Sequence, residues 1–599
     1  MNNYIPSINE SINAKNTVTS ELCNTFIVNN YYNKLASNSH TIMMGPRGSG
    51  KTTLMRMLEV KSLELWESEA SQYFRDTINF SGVFIPTDRI WKTQYENTSK
   101  KLKHIEDRYV LESQFTYHVL HQLALSVSFR TCRITNKKNK FRHTILDKKS
   151  ESELVKELSE LWIIKPKIQS LRSLITSLSL KKNEISHYLN NVILLDNSES
   201  RPDVINGEIN NIIGTSIDII NTYLNEIGQK WAFLFDELEL APDYIIQPLI
   251  DNMRGGHPDI ILKLALSPYH KGLDDITNSP YSSMKDQDLS FIDLTELSES
   301  EGKKFSEELC SNLFKKKGIF NSVESCFEQP KEIDIDIIFD SLVNKDFGFR
   351  EYLDSKDFRS IKYTNAENKK SQFRKVKFIA YLRDYSKNDN GNLISRRRAA
   401  DYYAGFDNIC KSIEYNPRML IGIMNMFIPI IKSNGKIAIH EQISGLKMYF
   451  DSFKALLSTI AIDSQDSRIN NIYDLVDLIA IFFKNELYGE RFIAEPKGML
   501  TIDEETPQDL RDAIGFALNA GAMIRVNKND ENSSMLSKDR TLTCRLSYLF
   551  SHNYGLLLTK QRAVQLSKVM ADQRIETNKV SLVDIHSNGE GKQLGLDLE

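Results

Sequence analysis

Short apolar runs separated by amphipathic stretches define the first half of this chain. His40–Met44 (HTIMM) leads straight into a glycine-rich turn, and Thr52–Leu65 then carries helical periodicity, so strand, loop and helix are predicted in that order. A second strand is expected at Ser81–Thr87, followed by a long helix over Glu112–Arg130. Another helix, Gly207–Gln229, runs into Trp231–Phe235, five apolar residues in succession. Ile260–Leu266 and Ser290–Leu294 are further apolar strands. Short buried strands alternating with helices predict an α/β fold with a parallel sheet covered on both faces.

The rest of the chain is patterned differently. From Thr135 to Glu199 a basic run (Lys137, Lys138, Lys140, Arg142) precedes Leu/Ile-rich helical sequence broken at Pro166, read as an inserted helical hairpin with coiled-coil character. Glu299–Lys317 is a charged amphipathic helix, Gly318–Asn392 has no clear period, and helices resume over Arg396–Ile431. From Ile472 the order is helix (Tyr473–Tyr488), short strand (Arg491–Ala494), helix (Pro507–Ala520) and two strands around Asn529–Arg540, which resembles a winged helix. The expected divisions are residues 1–295 for the sheet domain, with an insertion over about 135–200, then 296–460 for a helical lid. A winged-helix-like domain over 461–570 and a polar, mobile tail over 571–599 follow.

Composition narrows the classes. A chain of 599 residues exceeds what one core organises. Its net charge of −3 excludes a chain-wide polyanion binder and leaves only local patches for nucleic acid. Six scattered cysteines (Cys23, Cys132, Cys310, Cys326, Cys410 and Cys544) form no C-x-x-C pair, so reduced thiols are expected rather than zinc or disulfides. No apolar run reaches the roughly 18 residues of a membrane span, Met419–Ile431 being too short, and the N-terminal segment lacks a signal-peptide core. A soluble cytoplasmic protein without a membrane partner is the expectation.

GPRGSGKT, Gly45–Thr52, matches the phosphate-binding loop G-x-x-x-x-G-K-[ST] in the strand-to-helix context that the motif requires. Gly45, Pro46, Arg47, Gly48, Ser49 and Gly50 would form the loop around the phosphates, its glycines letting successive backbone N–H groups turn inward, with Thr53 following in the helix. Lys51 would meet the β- and γ-phosphates, and the Thr52 hydroxyl would ligate Mg²⁺. Its partner is WAFLFDELELAP, Trp231–Pro242, where an apolar strand ends in Asp236, placed for the Mg²⁺ shell, and Glu237, placed to deprotonate water. Glu239 reads as a solvated acid at a helix start. Ser267, at the tip of Ile260–Leu266, is equally an ordinary strand-ending residue or a donor to the attacking water or γ-phosphate. No second catalytic or metal-ligand pattern is visible. ATP with Mg²⁺ is the expected ligand.

EYNPRMLIGIMN, Glu414–Asn425, is similar to the G-N-P-R-like turn that opens the lid helix of the AAA+ superclass, with Tyr415 where glycine is usual. Together these residues resemble the origin-recognition (ORC/CDC-like) clade of AAA+ P-loop ATPases, including bacterial members often encoded in antiphage defence loci. The resemblance covers Phe26–Ile134 and Gly207–Ala461, with looser agreement in the winged-helix-like region. It implies an ASCE sheet, a lid whose Arg418 reaches the γ-phosphate (a salt-bridged Arg at a Pro-initiated helix start being the alternative), and a homo-oligomeric ring or filament with ATP at subunit interfaces. An arginine acting on a neighbour would then be needed, for which Arg254 is the candidate; a cation closing a helix is the equal alternative.

Between Tyr473 and Met570 about a dozen Lys and Arg face about thirteen Asp and Glu, so that region lacks the basic excess of a DNA reader even with Arg525, Lys528, Lys538 and Arg540. Lys137–Arg142 and Arg396–Arg398 are better basic patches. The expected function is a regulatory ATPase that switches an assembly or a partner effector encoded nearby. A DNA-binding initiator- or loader-like ATPase is the alternative.

Overall fold

In the computed structural model, five short runs join as one all-parallel sheet: β1 (His40–Met44), β2 (Phe80–Pro86), β3 (Lys230–Asp236), β4 (Ile260–Leu266) and β5 (Leu289–Asp293). The structure describes residues 17–87, 91–131, 141–195, 200–205, 208–241, 243–253, 255–269, 289–295, 297–356, 370–394, 401–526 and 541–572. The chain divides into two compact units, Met1–Thr295 and Glu296–Glu599.

The strand order is β2-β3-β4-β1-β5, so β4 lies between the strand that enters the glycine loop and the strand that ends in Asp236. Register aligns Met44 with Leu266 and Asp293, and Phe235 with Leu264 and Ile85. Because every pairing is parallel, all the C-terminal strand ends meet at one edge, where open α/β sheets bind ligands. Near-continuous apolar sequence is explained by burial of β1, β3 and β4 on both faces. One buried cation interrupts β4: Lys263 donates to Ser37 O at 2.9 Å and Ser39 O at 3.2 Å, and burial pushes its pKa down to about 7.

The helix expected over Thr52–Leu65 is broken. It runs over Lys51–Arg56 and resumes over Val60–Leu65, because Glu59 bridges to Gly82 on the edge strand β2. A Cβ on Gly82 would stand 2.2 Å from Leu58 O, so only glycine admits this covering of the edge. Behind the break Tyr32, Trp66 and Phe74 pack together, and the Tyr32 hydroxyl donates to Met57 O at 2.9 Å.

The inserted sequence forms the helices Lys148–Leu161 and Leu171–Leu195, with Pro166 in their link. They are not a free coiled coil. Leu174, Leu178 and Ile185 are buried, and Tyr188 donates to Asp107 at 2.8 Å on the 27-residue helix Ile105–Thr131. Trp162 donates through Nε1 to Ser216 at 2.9 Å, on the helix Ile209–Tyr223. Each inserted helix thus spends its apolar face on the sheet domain. Lys137, Lys138 and Lys140 lie outside the described residues.

In the second unit the segment without a sequence period holds three α-helices among its described residues. Ile335–Lys345 and Phe347–Ser355 are capped by Asp334 and Asp346, whose side chains accept from backbone N–H groups. Lys370–Ser386 carries Arg383, fully buried, which donates to Asp346 at 2.7 Å and to Leu487 O and Gly489 O at 2.8 and 2.9 Å. Those carbonyls close the helix Ile472–Tyr488, so one guanidinium joins three elements.

The strand expected at Arg491–Ala494 is absent; Phe492 instead packs its ring against Phe349 (centroids 4.8 Å apart) as the chain crosses Gly348. Pairing is taken up by β6 (Lys497–Ile502), β7 (Met523–Arg525), β8 (Leu542–Leu546) and β9 (Arg562–Gln565), in the order β7-β8-β6-β9. The helix Gln508–Ala520 lies between β6 and β7. Of the two strands expected around Asn529–Arg540, β7 and β8 flank that stretch; Lys528, Lys538, Arg540, Arg396–Arg398 and the tail from 573 lie outside the described residues. Among the described residues no helix is long and apolar enough to cross a membrane.

Candidate functional site

The loop after β1 is shaped by two glycines. Gly48 and Gly50 have φ of 86° and 95°, a region that L side chains enter only with strain. Gly45 continues the sheet through its N–H to Leu266 O at 3.3 Å. A Cβ there would meet Ser49 Oγ at 2.5 Å, so glycine is required by space. Pro46 O receives the Ser49 N–H at 3.2 Å, closing the turn, while Arg47 is exposed at its tip. Lys51 and Thr52 open the helix Lys51–Arg56, and Thr53 O accepts the Met57 N–H at its end. The Lys51 ammonium, on a side chain only 8% exposed with its residue, curls under the loop to Gly45 O at 2.6 Å and Pro46 O at 3.3 Å.

Across β4, the Thr52 hydroxyl donates to Asp236 Oδ2 at 2.7 Å. Two residues far apart in sequence and read separately as metal ligands are therefore in contact. Burial pushes the Asp236 carboxyl up to about 7; the Thr52 hydrogen bond and Lys51 work against this, and Glu237 and Glu239 add to it. Among the described residues Asp236 Oδ1 and Ser49 Oγ are buried with no hydrogen-bond partner. The Thr52 hydroxyl and the Asp236 carboxylate, one of whose oxygens is orphaned, are hard oxygen donors of the kind that suits Mg²⁺, so these two residues fit that ion. Held there with a triphosphate, Mg²⁺ would supply positive charge against the phosphates.

Glu237 is left-handed, with φ 53° and ψ 39°, directly before the short turn Leu238–Leu240. This break ends the strand alternation that would otherwise send Asp236 and Glu237 to opposite faces. Glu239 is not the solvated acid expected: it is half-buried, its Oε1 accepts from Ser267 at 2.6 Å, and its Oε2 is a further buried oxygen without a partner among the described residues. The sequence signal for it was D-E-x-E, in which the third acid returns toward the first after a tight turn. Ser267 is 6% exposed and held by Glu239 rather than left in a plain surface turn.

Arg418 is the second residue of the helix Pro417–Asn434, in the second unit. Asn416 caps that helix, accepting from Arg418 N at 3.1 Å and Met419 N at 3.3 Å. Arg254 lies outside the described residues, just past the helix Asp243–Asn252. Two acidic groupings that the sequence did not announce have partners: Lys303 pairs with Asp407, Glu324 and Glu307, and His257 Nε2 is 3.1 Å from Asp218.

A family model described as ORC-CDC6-like matches residues 7–566 of this chain. No curated protein matches it. Among solved structures, Cdc6p from Pyrobaculum aerophilum is similar at 10% identity and a TM-score of 0.26, over 92% of this chain and 91% of that one. The ORC2 protein of Aeropyrum pernix, solved as ADPNP–ADP complexes, is similar at 10% identity and a TM-score of 0.30, over 98% of each chain. At these values nothing is transferred from either protein.

Proposed function

The chain belongs to the ORC-CDC6-like family, and from that premise we propose that it is a cytoplasmic, Mg²⁺-dependent ATPase whose triphosphate state switches the assembly of copies of the chain or its hold on a partner effector. The observation that carries the ATPase reading is the 2.7 Å contact between Thr52 and Asp236 beneath a loop with two left-handed glycines. In this reading Gly45–Thr53 cradle the phosphates, and Lys51 meets their charge. Thr52 and Asp236 hold the ion, and Glu237 takes the proton of the attacking water. Ser267, positioned by Glu239, orients that water, and Arg418 answers the γ-phosphate when the lid over 296–460 responds to it. Arg254 is the proposed arginine acting on a neighbouring subunit.

Steady-state phosphate release tests the core of this reading. The wild-type chain should hydrolyse ATP with Mg²⁺ and stop with EDTA, and Asp236→Asn should lose turnover; magnesium-independent turnover would contradict it. The initiator-like alternative rests on the same residues and on a winged-helix-like reading of 461–570. Duplex DNA binding that weakens steeply with salt would favour it over the partner switch. The antiphage setting rests on resemblance alone, and a phage challenge of cells with and without an active Lys51 tests it.

A further inference from the structure

The turn that presents Arg418 is strained and held from two sides. Glu414 and Tyr415 are consecutive left-handed residues, with φ of 58° and 53°, immediately before the Asn416 cap. Neither is glycine, so surrounding contacts must over-determine the conformation. One hold is packing: a Cβ on Gly302, in the helix Glu299–Lys316, would stand 2.5 Å from the Tyr415 ring, so the ring sits directly on that helix.

The other hold comes from the C-terminal sheet. Arg545, on β8, gives one N–H to each Glu414 oxygen, both at 2.7 Å. Glu414 Oε1 also accepts the Tyr548 N–H at 2.6 Å, and the guanidinium lies 3.8 Å from the Tyr548 ring centroid. The pair is secluded, with side chains 5% and 13% exposed. A bidentate, charge-assisted pair out of water fixes direction as well as distance, which Lys in place of Arg545 could not do. Three residues separate Glu414 from Arg418, and one of them, Asn416, accepts the Arg418 N–H and ties the two ends of the turn together.

We propose that Arg545 is a positioning residue for Arg418: acting through Glu414, the C-terminal sheet sets the orientation of the lid arginine and so the preference for a nucleoside triphosphate over a diphosphate. By linkage, a triphosphate that draws on Arg418 must in turn bias the β8 end of the sheet, which is the route by which nucleotide state reaches the C-terminal region. The proposal rests on the reading of Arg418 as the cation that answers the γ-phosphate.

The test is a double-mutant cycle on the full chain. Affinities for ATP and ADP, with Mg²⁺, are measured in the wild type, Arg418→Ala, Arg545→Met and the double variant, with thermal unfolding alongside. Arg545→Met should weaken ATP about ten-fold while leaving ADP within about two-fold, and should add nothing in the Arg418→Ala background. Glu414→Gln, which keeps the shape and loses the charge, should give the same pattern at about three-fold and carries the test if Arg545→Met fails to fold. If Arg418→Ala shifts the ATP-to-ADP ratio but Arg545→Met and Glu414→Gln do not, or their effects multiply with it, the positioning role is overturned and the lid reading stands. If Arg418→Ala leaves the ratio unchanged, the lid reading falls and takes the proposal with it.

Discussion

Glu237 and Glu239 differ in geometry at the end of β3: one occupies a left-handed turn beside Asp236 and the other accepts from Ser267, and the proposed reading gives them different roles. Glu237→Gln should therefore retain ATP and lose about a hundred-fold or more in turnover, because an amide keeps the shape but accepts no proton. Glu239→Gln keeps an acceptor for Ser267 and should lose less than about ten-fold. Phosphate-release assays on both variants separate the roles, and the reverse ranking would reassign the base. A second residue-scale prediction concerns acid. Burial pushes His552 down from 6.5 to about 4. The unfolded chain therefore takes up that proton first, and the contribution is whole above pH 6.5 and lost as pH falls through 4. At 1.36 kcal/mol per pH unit the full effect is about 3 kcal/mol. Denaturant unfolding of His552→Phe, compared with wild type, should show a flatter loss between those pH values; parallel curves would mean that the imidazole does not matter.

At the scale of elements, two joints are open to test. Gly302→Ala pushes a methyl into the Tyr415 ring and should cost about 1–3 kcal/mol. In a Tyr415→Ala background the same change should cost almost nothing, a non-additivity that thermal unfolding reads directly. Arg383→Met leaves the buried Asp346 with one cation fewer and strips the carbonyls of Leu487 and Gly489 of their donor, a loss of about 3–5 kcal/mol. Both joints explain what the sequence conceals. The strands, the glycine-rich turn after β1 and the acids at the end of β3 are legible because their signal is local: apolar runs, fixed glycine spacing and carboxylates at a strand tip. Tyr415 holds a left-handed backbone that favours glycine, and its ring packs on Gly302, more than a hundred residues earlier. The partnership of Glu239 with Ser267 and that of Phe492 with Phe349 are likewise tertiary. No window of sequence contains both members of such a pair.

On the scale of the whole molecule, the proposed assembly makes turnover per subunit depend on concentration, because an arginine from a neighbour completes the transition-state charge. Arg254→Ala should lower the plateau while leaving nucleotide binding near wild type, and mixing it with Lys51→Ala subunits should restore part of the activity. Flat turnover and no restoration would confine the switch to a single chain. The expectations about turnover, the lid and assembly all stand on Mg²⁺-ATP occupying the loop after β1. Equilibrium titration of labelled ATP into the full chain, wild type against Lys51→Ala, with magnesium and with EDTA, tests that most directly. Lys51 already lies under the loop, 2.6 Å from Gly45 O, and losing its charge-assisted bonds to phosphate should weaken ATP about a hundred-fold. The wild type should bind ATP more tightly with magnesium than with EDTA. Equal affinity of the two proteins, or none in either, would contradict the account.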